Sequence, residues 1–165
     1  MLYHNKIMNS TNKIIDDNRI SHMHGVAEYM YNNAYKHKID KHKMYILGLL
    51  HDIGYIDKSK AHEYYGADIA SQIGILKEYT DCIKYHSTTP IKYMNIKNCL
   101  ESEIPKPLIL LWEADMNVDI TGKEVGYIHR LIDISNRHGL NSKQYKDCKE
   151  TVKWLIKTKN TYKNT

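Results

Sequence analysis

No stretch of this chain stays apolar for the roughly 18 to 20 residues that a bilayer-spanning helix requires, so no membrane anchor is expected. The polar start from Met1 to Asn18 lacks the apolar segment of a signal peptide, and the expected location is cytoplasmic. Cysteine is scarce. Cys82, Cys99 and Cys148 are odd in number and far apart, which excludes a disulfide framework and a thiolate metal site of zinc-finger spacing. Three reduced thiols are expected. Prolines occur only at 90, 105 and 107 and nothing repeats, so no rigid linker divides the chain and one domain over residues 1–165 is expected. Phenylalanine is absent beside 14 tyrosines, a bias that points to no function. An arginine-rich stripe is also missing. The formal charge of +5 comes from scattered lysines, among them Lys153, Lys157, Lys159 and Lys163. Such a distribution solubilises the chain and mildly attracts phosphorylated ligands, but makes no dedicated nucleic-acid surface.

What is present is ordinary globular material, 42% hydrophobic and 26% charged, in a length that buries roughly 70% of its unfolded surface. Ile15, Val26, Met30 and Ala34 recur at helical intervals and predict a helix from Ile14 to His37, with Met23, Met30 and Met44 read as core packing. Asp40 can cap a second helix whose Met44, Leu47, Leu50 and Ile53 share a face and which ends at Gly54. Two shorter helices are expected over His62–Leu76 and Thr80–His86, the latter capped by Thr80, with a polar loop after Pro90. The run Leu108 to Trp112 is apolar on nearly all sides, which predicts a central helix over Ile104–Asn117. Thr121 with Glu124 makes a capping box for a helix reaching His138 and stopping at Gly139, and Ser142 can cap a last helix through Trp154. The sum is an all-α fold of about seven helices, of non-bundle type.

Ten histidines are a high share, but number alone proves little. Placement says more. His51 and Asp52 are adjacent at the end of an apolar helix, where two polar groups need partners: a divalent metal serves both, and a structural ion pair is the alternative. Asp115, following Leu111, Trp112 and Ala114, poses the same choice between a cation and one of the lysines.

At this point the residues resemble the HD superfamily, named for its His…His-Asp…Asp signature. Arg19-Ile20-Ser21-His22 followed by Gly25-Val26-Ala27 is similar to the first motif, Gly48-Leu49-Leu50-His51-Asp52-Ile53-Gly54 to the second, and Glu113-Ala114-Asp115 to the last. The matched core runs over 19–115, and the C-terminal helices over 121–158, with Thr121-Gly122-Lys123-Glu124 and with Arg130, Leu131, Ile134, Arg137 and Gly139, resemble the tail of a group of small bacterial HD proteins. His62 and His86 stand in contexts resembling the binuclear branches, the symmetrical diadenosine tetraphosphatases among them. The last motif of those enzymes continues differently from Asp115-Met116-Asn117-Val118.

The resemblance implies one metal on His22, His51, Asp52 and Asp115 and a second on His62 and His86, with Asp52 bridging. Four imidazoles and two carboxylates suit two divalent or mixed-valent ions, iron or manganese. Such a pair activates a bridging hydroxide, which makes Asp52 a catalytic as well as a ligand residue. Arg19, three residues before His22, lies on the same helical side and is a candidate phosphate contact, with a structural ion pair as the alternative. Many family hydrolases carry lysine where this chain has Tyr55, and Lys58 or Lys60 stand nearest to replace it. His4, His24, His37, His42, His129 and His138 have no ligand-like context. The implied function is metal-dependent hydrolysis of a phosphoester or phosphoanhydride, with a small phosphorylated molecule, a nucleotide, as partner. An HD-fold mixed-valent di-iron oxygenase and a non-catalytic regulatory domain are the alternatives from other classes.

Overall fold

A computed structural model describes residues 15–163, so the expected helix start at Ile14, His4 and the Lys163 side chain lie outside the described residues or side chains. Eight α-helices follow in order: α1 Asp17–Asn33, α2 Lys41–Leu50, α3 His62–Gln72, α4 Lys77–Tyr85, α5 Pro90–Lys97, α6 Lys106–Asp115, α7 Gly126–His138 and α8 Lys143–Lys163. Short 3-10 turns lie over 34–37, 53–56 and 101–103. Among the described residues there is no strand, only an isolated antiparallel bridge between Val118 and Glu124. No described helix is long and apolar enough to cross a membrane.

Helix starts follow local chemistry. Asp16 caps α1 by accepting from the Arg19 amide, and Asp40 caps α2 by accepting from His42 and Lys43. The expected loop after Pro90 is instead α5. Pro90 occupies the first turn, where its missing N–H and fixed φ cost nothing, and the Thr89 hydroxyl caps the helix at the Lys92 amide. Thr80 is not a cap: α4 begins a turn earlier after Leu76, and the Thr80 hydroxyl donates to the Lys77 carbonyl. The expected capping box at Thr121 and Glu124 is absent. Asp119 takes that region into a turn by accepting from the Thr121 and Lys123 amides, and α7 starts only at Gly126. Ser142 does cap α8, accepting from the Tyr145 amide.

The α6 helix is central as expected, with Leu108, Leu110, Leu111, Trp112, Glu113 and Ala114 all buried. α1 packs along α2 and α6, α3 on α4, and α7 on α8. Met23, Met30 and Met44 are core residues. The buried Glu113 carboxylate accepts from Tyr29 Oη and Lys159 Nζ, each at 2.7 Å, so Lys159 ties α8 to the core instead of serving solubility alone. All three cysteines are free.

Candidate metal centre

Three helices end at one point. His51 is the C-cap of α2 with Asp52 after it, His86 is the C-cap of α4, and Asp115 is the last residue of α6. Each helix end carries about half a negative elementary charge, so the converging termini favour a cation. His22 comes from the middle of α1 and His62 from the first position of α3.

Each terminal carbonyl is taken by a side chain of the cluster. His51 Nδ1 donates to Gly48 O at 2.7 Å, His86 Nδ1 to Ile83 O at 2.6 Å, and Arg130 Nε to Asp115 O at 3.0 Å. His22 Nδ1 donates to Asp119 O at 2.9 Å, and His62 Nδ1 faces Glu63 Oε2 at 3.1 Å. With Nδ1 committed to an acceptor, each imidazole turns the lone pair of Nε2 inward. His51 Nε2 is buried and has no hydrogen-bond partner. A buried acceptor left without a donor costs about 1–3 kcal/mol, and a cation removes that cost.

The inward atoms have ligand spacing. Bonds of about 2.1 Å at about 90° put neighbouring ligand atoms about 3 Å apart. His22 Nε2 lies 3.0 Å from Asp115 Oδ1, His86 Nε2 3.2 Å and His62 Nε2 3.7 Å from Asp52 Oδ1, and His51 Nε2 3.4 Å from Asp52 Oδ2. Two groups of potential ligand atoms result, His22–His51–Asp52 and Asp52–His62–His86, each within 4.8 Å, and Asp52 belongs to both. Its Oδ2 faces one group and its Oδ1 the other. Asp115 joins the first through His22; its side chain is 19% exposed rather than fully buried, because it also lines a cavity.

Two arginines brace the carboxylates. Arg19 Nη1 donates to Asp52 Oδ2 at 2.6 Å, and Arg130 Nη2 to Asp115 Oδ1 at 3.3 Å. The ion pair weighed for Asp115 therefore exists, with an arginine as partner and not a lysine. Burial alone would raise the Asp52 carboxyl, but His51, His86 and Arg19 hold it well below the usual range, and His22 and Arg130 do the same for Asp115. Burial, reinforced by His86, pushes His62 down to about 4, and burial also lowers His22. His86 moves upward: burial opposes the shift, but the hydrogen bond to Asp52 and the charges of Asp52 and Asp115 together outweigh it. Tyr55 stacks on His62 with ring centroids 4.1 Å apart and takes the Arg19 guanidinium over its ring at 4.2 Å.

The cluster opens into a cavity of about 460 Å³ lined by Arg19, Asp52, His62, His86, Asp115 and Arg130, and also by residues of the α7–α8 junction. His138, read from sequence as a bystander, lines it too. Lys58 and Lys60 do not. They line an adjacent cavity, where Lys60 pairs with Asp57 at 3.3 Å and lies over the Tyr65 ring. The sequence assigns no site role to Glu63, to the Asp119 carbonyl or to Arg130, which enters only through the resemblance of the tail. Arg130 alone left a signal, a charge one residue from Leu131 and four from the buried Ile134 on an amphipathic helix.

Two glycines explain the spacing around His22. A Cβ on Gly25 would stand 2.2 Å from the Gly122 carbonyl oxygen, and one on Gly122, at φ +82°, 2.3 Å from Ser21 O. This close approach of backbones brings the 119–125 turn, and with it Asp119 O, onto His22.

Residues 19–117, more than half of the chain, match the HD domain family, and the chain belongs to it. No curated protein and no solved structure matches it. The four histidines and two aspartates of the resemblance come together in the fold, and the His/Asp cluster is compatible with a metal site.

Proposed function

We propose that the chain is a binuclear metal-dependent phosphohydrolase acting on a small phosphorylated substrate, a nucleotide. HD proteins are generally metal-dependent hydrolases. The observation that carries the binuclear reading is the Asp52 carboxylate, whose two oxygens face two separate histidine groups. In this reading His22, His51, Asp52 and Asp115 hold the first ion, His62 and His86 the second, and Asp52 bridges. The nitrogen and oxygen donor set suits iron or manganese. Such ions supply an activated water and neutralise phosphoryl charge.

The chain's own residues position the substrate. Arg19, braced between Asp52 and the Tyr55 ring, lines the cavity and offers its remaining N–H donors to a phosphate oxygen. Arg130 holds Asp115 in place through its side chain and its carbonyl. A cavity of about 460 Å³ falls within the range of small-ligand sites and admits a nucleotide-sized molecule.

The test is metal analysis of purified protein together with a nucleotide panel assayed for phosphate release without oxygen. Two ions per chain and anaerobic phosphate release are expected. Oxygen consumption with a ferrous–ferric signal and no phosphate release would establish the oxygenase instead. A protein that binds no metal and turns over nothing would be a regulatory domain.

A further inference from the structure

The cavity has a second charged wall that the metal reading leaves without a task. Besides Asp52, His62 and His86, the cavity is lined by Arg130 within α7, by Arg137 and His138 at its end, by Lys143 and Gln144 at the start of α8, and by Asp147 one turn further on. Arg137 binds Asp133 through Nε and Nη2, both at 3.1 Å, and Arg130 Nη1 reaches the same carboxylate at 2.7 Å. Lys143 pairs with Asp147 one turn along α8. Asp133 is thus shared by two guanidiniums, and the three cations of this wall face two carboxylates of their own helices.

Such intrahelical pairs at i,i+3 and i,i+4 contribute only a few tenths of a kcal/mol each on a solvated face, so stability alone is a weak reason for them here. Their geometric effect is larger. Asp133 grips Arg137 along one edge of the fork and leaves Nη1 for another acceptor. Like charge also acts on the neighbouring His138, whose imidazole is lowered by partial burial and then by Arg137 and Arg19. Arg137 and Lys143 are each paired on their own helix, so what they offer an anion entering the cavity is their remaining N–H donors.

We propose that the α7–α8 wall, through Arg137, His138 and Lys143, is a subsite for a second phosphoryl group, so that the preferred substrate carries at least two phosphoryl groups and is not a simple monoester. The proposal rests on the phosphohydrolase reading for what happens at the metals, but its test does not need turnover.

The test is calorimetric binding to the metal-loaded protein of adenosine 5′-monophosphate, of the non-hydrolysable α,β-methylene diphosphate of adenosine, and of adenosine 3′,5′-bisphosphate. Wild type is expected to bind one of the two-phosphoryl probes at least about tenfold more tightly than the monophosphate, the gain of one charge-assisted contact. Preference for the methylene compound assigns an anhydride chain, and preference for the bisphosphate assigns phosphates on separate ribose positions. The double variant Arg137→Ala/Lys143→Ala should lose that preference and keep monophosphate affinity within about twofold, with metal content and melting temperature as controls. If this double variant falls in stability, Arg137→Gln alone, which removes the charge but keeps a polar side chain with N–H donors, should still reduce the preference. Equal binding of all three probes by wild type, or a preference that survives both variants, overturns the subsite. A wild type that binds the two-phosphoryl probes tightly yet hydrolyses no phosphoester would refute the hydrolase reading while leaving the subsite standing.

Discussion

Gly54 lies two residues beyond Asp52, and the start of α3 packs directly on it. The Cβ of an alanine there would stand 1.8 Å from the His62 carbonyl oxygen, 2.6 Å from its carbon and 2.7 Å from the Gly66 amide nitrogen. All three are backbone atoms, so no rotamer change relieves the overlap. Ordinary contact begins near 3.4 Å, and the start of α3 must therefore retreat by roughly 1.5 Å. Metal–ligand distances tolerate only about 0.2 Å, so a shift of that size takes the His62 imidazole out of the second group. Overpacking of this kind costs about 1–3 kcal/mol, and at about 2–4 °C per kcal/mol the Gly54→Ala protein should melt roughly 2–12 °C lower. Metal analysis should find the second ion lost and the first retained. Gly74→Ala is the control: φ is +89° and nothing lies within 4 Å of the new Cβ, so it should lose a little stability through strain and no metal. A Gly54→Ala protein with wild-type melting temperature and two bound ions would refute the reasoning.

Asp52→Ala should remove both ions and abolish turnover more completely than His62→Ala or His86→Ala, each of which should lose one ion and keep the fold; substantial turnover in Asp52→Ala would sink the bridging assignment. Arg19→Lys should weaken turnover of a phosphorylated substrate with metals still bound, because an ammonium does not reproduce the fork, whereas unchanged kinetics in Arg19→Lys and Arg19→Ala would leave only its ion pair with Asp52. Arg130→Ala removes two hydrogen bonds from Asp115, and a loss of about 10–100-fold in affinity for the first ion is expected, read by titration against a competing chelator. After metal is stripped with a chelator, stability should fall on acidification from about pH 6.5 towards 4. His62, at about 4 when folded against 6.5 unfolded, binds its proton only in the unfolded chain over that window, and the lowered His22 acts in the same sense. The raised His86 opposes them, so the decisive comparison is with His62→Ala, whose melting temperature should depend less on pH; an identical slope would count against the burial of His62.

Legibility from the sequence followed the range of the interactions. Helix starts set by one aspartate and its neighbouring amides, at Asp40 for example, were readable, and so was the buried α6 with its unbroken apolar run. Errors arose where two local rules compete. Pro90 reads equally as a helix breaker and as a first-turn residue, and the Thr89 hydroxyl decides for the helix. Thr121 and Glu124 satisfy the capping-box pattern, but the Asp119 carboxylate, two residues before Thr121, captures the Thr121 amide and hydroxyl that the box would use, together with the Lys123 amide. The site ligands were legible because the motifs place them individually. What joins them was not: Asp119 O reaches His22 across 97 positions and Arg130 reaches Asp115 across 15, and no periodicity encodes either contact.

The placement of the carboxylates explains why so short a motif can be read at all. An aspartate at a helix C-terminus faces the negative end of the peptide dipoles and loses about 0.3–1 kcal/mol relative to a neutral or basic residue. Asp52 and Asp115 both accept that penalty, at the ends of two helices that converge with a third. Helix formation favours neither residue there, and packing gains nothing from a charge beside Leu50, Ile53 or Trp112. Arg19 and Arg130 offset part of the cost, but each reaches its carboxylate from the cavity side through one oxygen, and the other oxygen of Asp52 faces only His62 and His86. His86 has spent Nδ1 on the Ile83 carbonyl oxygen and His62 turns its own to the Glu63 carboxylate, so both meet that oxygen with Nε2. Local stability thus disfavours these residues at each step, and a cation beside the histidines would supply the partner that the orphaned His51 Nε2 lacks.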